Sequence, residues 1–209
     1  MPKVSDAHRA ARRRQILDAA AACFARDGFH KTSMQDIVRE SGISAGLVYR
    51  YFAGKDDVIA AIVDEWHDQR LVFSSGPVPE RAAAYLDHLR AVGAPESAAR
   101  IRLGVQIWAE AVRNPRIRAR SRRNVDDPRA AVASALASAP LPAGIDPDSL
   151  ARILIAVYQG LLVQTTWDDA LDNEAYVSTV AAMLTALIPG VSNASHGPPH
   201  GTSTGVAGA

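Results

Sequence analysis

The 209-residue chain has too few cysteines for a disulfide-linked fold and no apolar run long enough for a membrane protein. It contains one cysteine, Cys23, and a single thiol cannot form an internal disulfide. No stretch reaches the roughly 18 uninterrupted apolar residues of a membrane span. The charged N-terminus MPKVSDAHRAARRRQ is not followed by the apolar segment of a secretory signal. We therefore expect a cytoplasmic protein with no membrane partner.

Clusters of residues that could carry chemistry are also scarce. The six histidines show no paired spacing with cysteine or carboxylates that is typical of a metal site. Neither a phosphate-binding glycine loop nor a dinucleotide fingerprint occurs. The sequence therefore predicts no metal and no cofactor. It also predicts no catalytic residues, because an enzyme would need a cluster of polar residues and we find none.

Charge is present in quantity but is unevenly divided. Residues 1–55 hold ten Lys/Arg against five Asp/Glu, whereas residues 56–209 hold thirteen against seventeen. The net charge of +1 thus combines a +5 segment with a −4 segment. A basic module on an acidic body is expected when only one end of a protein meets a polyanion.

Apolar periodicity predicts helices throughout. In a first helix, Arg12 to Asp27, one apolar stripe is formed by Ile16, Leu17, Ala20, Cys23 and Phe24. The place of Cys23 in this stripe predicts a buried structural thiol and not a redox sensor. Gly28 supplies a helix stop.

A capping signal follows this stop. Thr32 with Gln35, or in weaker form Ser33 with Asp36, is a capping-box pattern, and it opens a short helix that ends near residue 41.

Residues 42–46, GISAG, match G-x-S-x-G, the nucleophile elbow of serine hydrolases. That turn requires a buried β-strand before it, whereas the preceding SMQDIVRES has helical spacing and no β-branched run. Instead, Ile43 is expected to be an apolar residue that packs inward and Ser44 a new N-cap. The predicted order is therefore a helix, a turn with glycine and a second helix. This order is the helix-turn-helix arrangement, so we reject the hydrolase interpretation.

The third helix is predicted to present a small and polar face outward. Val48 and Phe52 point inward, with Ser44 and Tyr51 beside them. The outward face is formed by Ala45, Gly46, Tyr49 and Arg50. Small residues allow a helix to approach base edges in a DNA major groove, where an arginine can bind a guanine or a phosphate.

Neighbouring residues extend this predicted DNA contact. Leu47 is placed to touch a thymine methyl group. Tyr49, Tyr51 and Lys55 suit phosphate oxygens, although both tyrosines can also serve only to pad the module.

The run TSMQDIVRESGISAGLVYRYFAGKDDVIAAI resembles the N-terminal module of the TetR family of bacterial one-component regulators. The similarity extends from Arg14 to Trp66 and includes the core G-I-S-x-G-x-V-Y-x-Y-F followed by Gly-Lys. It implies that Thr32 and Ser33 contact phosphate, that residues 44–51 form the reading helix and that Lys55 caps the site. Leu47 and Val48 invert the commoner order of a polar residue before leucine, which leaves the base preference open.

Two basic runs each allow two interpretations. The arginines before the first stripe, Arg9, Arg12, Arg13 and Arg14, either reach the DNA backbone or an adjacent minor groove or form a solvated charge run. The second run is either a solvated face or a contact for an anionic effector or nucleic acid. It comprises Arg113, Arg116, Arg118, Arg120, Arg122 and Arg123.

The remaining chain predicts a helical body that dimerises. After a helix running toward Arg70, further helices are expected near residues 80–92, 95–113, 115–138, 147–167 and 174–188. The helix from Leu150 to Trp167 is apolar almost all round, and the last helix is similar, so each needs cover on both sides. Paired about a two-fold axis, they would form a four-helix interface, which is how TetR-like proteins dimerise.

The resemblance further implies a ligand cavity among the middle helices, whose occupation reorients the helix of residues 56–70. Large aromatic residues with a few polar groups suit a mostly apolar small-molecule site. The candidate lining residues are Trp66, Tyr85, Trp108, Tyr158, Gln164 and Trp167. Each of them is also compatible with an ordinary place in the core.

Together these observations predict an all-α protein: an N-terminal three-helix helix-turn-helix DNA-binding domain over residues 8–54, a helical effector-binding and dimerisation domain over 55–188, and a disordered tail over 189–209. We expect a homodimer that binds double-stranded DNA at a pseudo-palindromic operator, a repressor that a small-molecule effector releases. The alternative is a helix-turn-helix regulator that answers to a protein partner, or an activator, with no small-molecule effector.

Overall fold

The computed structural model describes residues 6–70, 76–188 and Val191, and the side chains of 66–70 are not described. Within these ranges the chain forms nine α-helices and no strand. Their bounds are α1 Asp6–Lys31, α2 Met34–Ser41, α3 Ala45–Tyr51, α4 Lys55–Arg70, α5 Val78–Val92, α6 Ala98–Arg113, α7 Pro115–Ala137, α8 Pro147–Gln164 and α9 Asn173–Leu187. None of the described helices is long and apolar enough to cross a membrane.

A first core holds the N-terminal helices together. All five residues of the predicted stripe on α1 are buried, including Cys23, and burial raises the pKa of its thiol. Phe24 meets Phe29 edge to face at 4.8 Å between ring centroids. This core also contains Leu103 and Ile107 of α6 and Ile117 of α7, so the N-terminal helices share it with the body.

Helix α1 is interrupted at Gly28, whose φ of 82° and ψ of 162° are not helical. The sequence correctly indicates a break there, but the chain resumes helical geometry to Lys31. The side chain of Gln106 on α6 spans the break. Its amide oxygen accepts from the Phe29 N–H at 3.0 Å, and its amide nitrogen donates to the Phe24 carbonyl at 3.0 Å. A residue of the body thus satisfies backbone groups that the break in α1 leaves unpaired.

The capping box of α2 belongs to Ser33 and Asp36. Ser33 is the N-cap, its hydroxyl accepts from the Asp36 N–H, and the Asp36 carboxylate accepts from the Ser33 N–H at 2.9 Å. The stronger pattern in the sequence, Thr32 with Gln35, is therefore not the one used. Gly42 ends α2 with a left-handed φ of 64°, a conformation that favours glycine.

A second core lies in the body, where α5, α8 and α9 pack together with parts of α6 and α7. Its fully buried members include Leu89, Ala151, Leu161 and Val177. Helix α7 contains Pro128, which cannot donate a backbone hydrogen bond.

The predicted helices of the body agree with the observed ones to within a few residues at most ends. Two differences stand out: Pro95–Ser97 forms a short 3₁₀ turn before α6, and α8 ends at Gln164, three residues before Trp167. Val191 is buried in the second core, so packing continues past residue 188. The rest of the predicted tail lies outside the described residues.

Candidate nucleic-acid interface and internal cavity

Helix α3 presents the face that its sequence predicts. Val48 and Phe52 are buried in the first core, whereas Tyr49 is 51% exposed and Ala45, Gly46 and Arg50 are exposed. A helix, α2, delivers the chain to Gly42 and Ser44, so the strand that a nucleophile elbow requires is not present there.

The first turn of α3 leaves its surroundings open. Ser44 is the N-cap residue, but its side chain makes no capping hydrogen bond. A Cβ added at Gly46 would meet no atom within 4 Å. This turn can therefore come close to another molecule, as a helix in a major groove must.

The positive charge on this face is available. Among the described residues Arg50 has no acidic partner, whereas Arg39 on α2 is bound to Asp36. Leu47 and Tyr51 are half-buried and pack against the first core, so only part of each side chain reaches solvent.

The phosphate contact predicted for the side chain of Thr32 is wrong. Thr32 is 2% exposed, and its hydroxyl donates to the Gly28 carbonyl at 2.8 Å beside the break in α1. Ser33 is exposed, but its hydroxyl also donates to the Asp36 carboxylate at 2.6 Å. The Ser33 contact with phosphate stays a prediction, and it would have to share that hydroxyl.

Lys55 is tied to the same region. Its ammonium donates to the carbonyls of Phe29, at 2.5 Å, and Thr32, at 3.2 Å. An ammonium has three N–H donors, so these bonds leave one for a phosphate oxygen. Lys55 therefore stabilises the fold through these two bonds. A contact between Lys55 and phosphate stays a prediction, and it could use only the third N–H.

The N-terminal arginines lie on α1 and not on an extended arm. Arg13 pairs with Glu65 of α4 at 2.9 Å and lies over the Phe52 ring, 5.7 Å from its centroid. Arg14 reaches Glu65 at 3.7 Å and Asp18 at 3.3 Å. Two of the four arginines thus help to join α1 to α4.

The second basic run largely joins α7 to its neighbours. Arg116 pairs with Asp57 of α4 at 2.6 Å, and Arg120 and Arg123 both pair with Asp64 of α4. Asn124 continues this seam, because its amide nitrogen donates to the Val63 carbonyl of α4 at 3.0 Å.

The other members of the run act locally. Arg118 donates to the Ala111 and Val112 carbonyls at the end of α6, Arg113 pairs with Glu110, and Arg122 pairs with Asp126. Five of the six arginines are exposed, as the interpretation as a solvated face expects, but three of the six also bind α4, which that interpretation does not include.

A cavity of about 140 Å³, partly open to solvent, lies between α5, α7, α8 and α9. Its walls are mostly aliphatic. Its described lining residues are Val78, Arg81, Ala82, Tyr85, His88, Asn124, Val125, Pro128, Val132, Ala135, Leu136, Ala151, Leu154, Ile155, Tyr158, Leu184 and Ile188.

Two of the predicted lining residues, Tyr85 and Tyr158, border this cavity. Trp108 packs against the second core outside it, Gln164 is half-buried elsewhere, and Trp167 is 68% exposed, so these three predictions are wrong for this cavity. The side chain of Trp66 lies outside the described residues.

Sequence reasoning missed the polar wall residues Arg81, His88 and Asn124. The spacing of Tyr85 and His88 could have predicted His88, because residues i and i+3 lie on the same face of a helix.

The polar groups around the cavity have partners in the protein. The Tyr85 hydroxyl donates to the Leu154 carbonyl at 2.8 Å, and burial raises the pKa of the Tyr85 phenol, which keeps it neutral. The His88 ring stacks on Tyr158 at 4.6 Å between centroids. Arg81 donates to the carbonyls of Gly76 at 2.8 Å and Ala131 at 3.3 Å. The described residues contain no group of histidine, cysteine and carboxylate side chains that could hold a metal ion.

Two family profiles match the chain. Residues 16–62 match the profile described as bacterial regulatory proteins, tetR family, and residues 78–189 match the C-terminal domain of BetI-type transcriptional repressors. The first match spans α2, α3, the larger part of α1 and the first half of α4, and the second spans α5 to α9.

Known regulators resemble the chain over different lengths. The HTH-type transcriptional regulator UidR of Escherichia coli is 30% identical over 84% of this chain and 92% of its own length. The HTH-type transcriptional repressor Rv1474c of Mycobacterium tuberculosis is 45% identical over 65 residues, which is 31% of this chain and 35% of that protein. The chain thus matches only about a third of the second relative.

Solved structures share the fold. Salmonella enterica GusR superposes with a TM-score of 0.72 at 27% identity, over 90% of this chain and 99% of GusR. SmeT, the repressor of a Stenotrophomonas maltophilia efflux pump, is solved as a complex with triclosan. This complex superposes with a TM-score of 0.72 at 22% identity, over 90% of this chain and 98% of that chain.

Proposed function

This chain belongs to the TetR family of bacterial regulatory proteins, and from that premise we propose that it is a homodimeric repressor. It binds a pseudo-palindromic operator through α3 and leaves it when a small molecule occupies the cavity between α5, α7, α8 and α9. Residues 8–54 read the DNA, and residues 55–188 bind the effector and dimerise. The family consists of transcriptional regulators, and we propose no enzymatic activity.

The observation that carries the DNA-binding proposal is the outward face of α3. In its first turn this face carries Ala45 and Gly46, and a Cβ at Gly46 would meet open space. Arg50 and Tyr49 extend beyond that turn into solvent. In a major groove this arrangement places a guanidinium and a phenol hydroxyl against base edges and phosphates while the backbone approaches closely.

Dimerisation is supported by the surfaces of α8 and α9. Ile153 on α8 is 54% exposed and Met183 on α9 is 52% exposed. From Ala175 to Leu187, α9 carries no charged side chain, and its exposed positions other than Met183 are small: Ala175, Ser178, Thr179, Ala182, Thr185 and Ala186. An uncharged helix face of small residues allows a second helix to pack closely, as in a two-fold interface.

The coupling between effector and DNA is supported by α7. This helix contributes Asn124, Val125 and Pro128 to the cavity wall, and Asn124 also bonds to α4. Helix α4 shares the first core with α3. A molecule that displaces α7 would therefore alter the position of α4 and the spacing of the two reading helices. That SmeT is solved in complex with triclosan supports a small-molecule effector for this chain as well.

The test is operator binding by variants of the exposed α3 face. Fluorescence anisotropy with labelled DNA from the region upstream of the chain's own gene measures the affinity, first at low salt. Arg50→Ala and Tyr49→Ala should each weaken binding roughly tenfold or more, since one base or phosphate contact contributes ~1–3 kcal/mol. Arg102→Ala, at an exposed arginine of the body, should bind like the unmodified protein. Equal affinity of all four proteins would refute the role of α3.

A further inference from the structure

We propose that the cavity between α5, α7, α8 and α9 takes an uncharged, mainly apolar molecule about the size of two fused aromatic rings and discriminates against organic anions and cations. This inference names the class of effector and rests on the proposed ligand-responsive function.

The walls argue for an apolar ligand. Aliphatic side chains from all four helices face the space, including Ala82, Val132, Leu154 and Leu184. At about 140 Å³ the cavity is close to the ~150 Å³ apolar cavities that bind benzene. Because the cavity is partly open to solvent, we infer that a second ring extends toward its mouth. Burial of an apolar surface here is favourable by ~25 cal/mol per Å².

The charged and polar groups argue against an ionic ligand. Among the described lining residues, Arg81 alone carries a permanent charge, and its guanidinium is bound to the carbonyls of Gly76 and Ala131. No described lining residue is a carboxylate. An ion entering the cavity would lose its hydration without gaining a counter-charge, which is strongly unfavourable.

The hydrogen-bonding capacity left for a ligand is small. The Tyr85 hydroxyl donates to the Leu154 carbonyl, so it offers a ligand mainly its oxygen as acceptor. Asn124 also lines the cavity, and its amide nitrogen is bound to the Val63 carbonyl of α4. One hydroxyl or N–H on an otherwise apolar ligand can therefore be accommodated.

A quaternary cation is the strongest rival, because aromatic faces attract such groups. The geometry disfavours it: the His88 and Tyr158 rings stack on each other at 4.6 Å, so each covers one face of the other. A cage that surrounds a cation needs several open faces.

The experiment compares three probes that share one ring system, by isothermal titration calorimetry on the full-length protein without DNA. They are 2-naphthol, 2-naphthalenesulfonate and trimethyl(2-naphthyl)ammonium, at pH 8, where an ordinary imidazole is neutral. We expect 2-naphthol to bind roughly tenfold or more tightly than either ion. An ion that binds as tightly as 2-naphthol, or no 2-naphthol binding up to about 1 mM, would overturn the inference.

Variants assign the binding to this cavity. Ala135→Trp fills the cavity from α7 and should abolish 2-naphthol binding, whereas Ala137→Trp, at an exposed position two residues away, should leave it unchanged. Val132→Lys places a positive charge on the wall and should shift the preference toward the sulfonate. Unchanged 2-naphthol binding by Ala135→Trp together with an unchanged preference in Val132→Lys would place the site elsewhere.

The operator assay separates this inference from the function on which it rests. If the protein binds 2-naphthol selectively but binds no operator, the DNA-binding function fails while the ligand class stands. If it binds the operator but prefers an ion, the ligand class fails while the function stands.

Discussion

Gly46 shows how one position on α3 can serve DNA binding without serving the fold. Its neighbourhood inside the protein is empty, since an added Cβ meets no atom within 4 Å. Glycine also lowers helix stability by up to ~1 kcal/mol relative to alanine. Folding therefore does not explain the absence of a side chain at residue 46, whereas the proposed close approach of α3 to DNA would explain it.

A larger side chain at this position should separate stability from function. In Gly46→Leu, the free energy of unfolding in urea should stay the same or rise by up to ~1 kcal/mol. The operator affinity should fall roughly tenfold or more, because the leucine holds α3 away from the base edges. The control Ala22→Leu, at an exposed position on α1, should alter neither quantity. If Gly46→Leu binds the operator as tightly as the unmodified protein does, α3 does not enter the major groove as proposed.

Asp36 gives a pH-dependent contribution through the capping box of α2. Hydrogen bonds from the Ser33 side chain and backbone, followed by Arg39, lower the pKa of the Asp36 carboxyl to about 2. A carboxyl whose pKa is lower in the folded state stabilises the fold at pH values above its unfolded pKa, about 3.9. That contribution is lost as the pH falls from about 4 toward about 2.

The corresponding variant is Asp36→Asn. The difference in unfolding free energy between the unmodified protein and Asp36→Asn should be constant above pH 5 and shrink as the pH falls below about 4. Asp169→Asn, in an exposed turn, should show no such change in its difference. A difference for Asp36→Asn that does not vary with pH would show that the capping carboxylate is not the titrating group.

At the scale of single residues, periodicity predicts which side of a helix a residue occupies but not which carbonyl it binds. The inward positions of Val48 and Phe52 on α3 and its outward face follow from spacing and are confirmed, whereas Ser44, expected beside the inward residues, is exposed. The positions of Thr32 and Lys55 do not follow, because both bind carbonyls that the break in α1 exposes. In the sequence the break is marked only by Gly28, which does not indicate which carbonyls become available.

Helix α7 connects the cavity to α4. It binds α4 with arginines at positions 116, 120 and 123, which share one helix face at i, i+4 and i+7. Their partners on α4, Asp57 and Asp64, are also seven residues apart. This matched spacing was readable in the sequence, although the adjacency of α4 and α7 was not, because 58 residues lie between the partners Asp57 and Arg116.

The ion pairs on α7 should contribute to stability and not to DNA affinity. Arg120→Ala should lower the free energy of unfolding by up to ~1 kcal/mol, the usual range for partly exposed pairs. The slope of log affinity against log salt for operator binding should stay unchanged, whereas Arg50→Ala should reduce it by ~0.9 if Arg50 contacts phosphate. A reduced slope for Arg120→Ala would instead indicate that this basic run contacts nucleic acid. The matched control is Arg122→Ala, because Arg122 pairs with Asp126 within α7.

Asn124 lines the cavity and also donates a hydrogen bond to the Val63 carbonyl of α4. The variant Asn124→Ala should therefore bind the ligand with an affinity within a few-fold of that of the unmodified protein. The ligand should change the operator affinity of this variant less. The coupling free energy, typically ~1–3 kcal/mol, should be partly lost. Operator titrations with and without 2-naphthol measure this effect. The same ratio in the variant and the unmodified protein would show that coupling runs elsewhere.

At the scale of the whole molecule, the proposed assembly rests on the exposed apolar residues of α8 and α9. Helical segments apolar almost all round predict a buried interface, and the structure leaves Ile153 and Met183 exposed on the single chain. The position of the cavity was less predictable, because four helices distant in sequence enclose it. Aromatic residue type alone identified only two of its wall residues.

Charge placed on the α8 and α9 surfaces should break the dimer. The double variant Ile153→Glu and Met183→Glu should sediment as a monomer and bind the operator at least tenfold more weakly, because one reading helix then meets one half-site. Val112→Glu, at an apolar residue 72% exposed on α6, is the matched control and should remain dimeric. A dimeric double variant would mean that another surface forms the interface.

The amide of Gln106 has a consequence for engineering. Because it completes the backbone hydrogen bonding of α1 from the distant helix α6, the two halves of this protein are not interchangeable parts. A chimera that joins residues 1–54 to the body of another regulator would leave Phe24 and Phe29 with unpaired peptide groups unless the new body supplies an amide at that spot. Compatibility between an N-terminal half and a body taken from different regulators therefore depends in part on this contact.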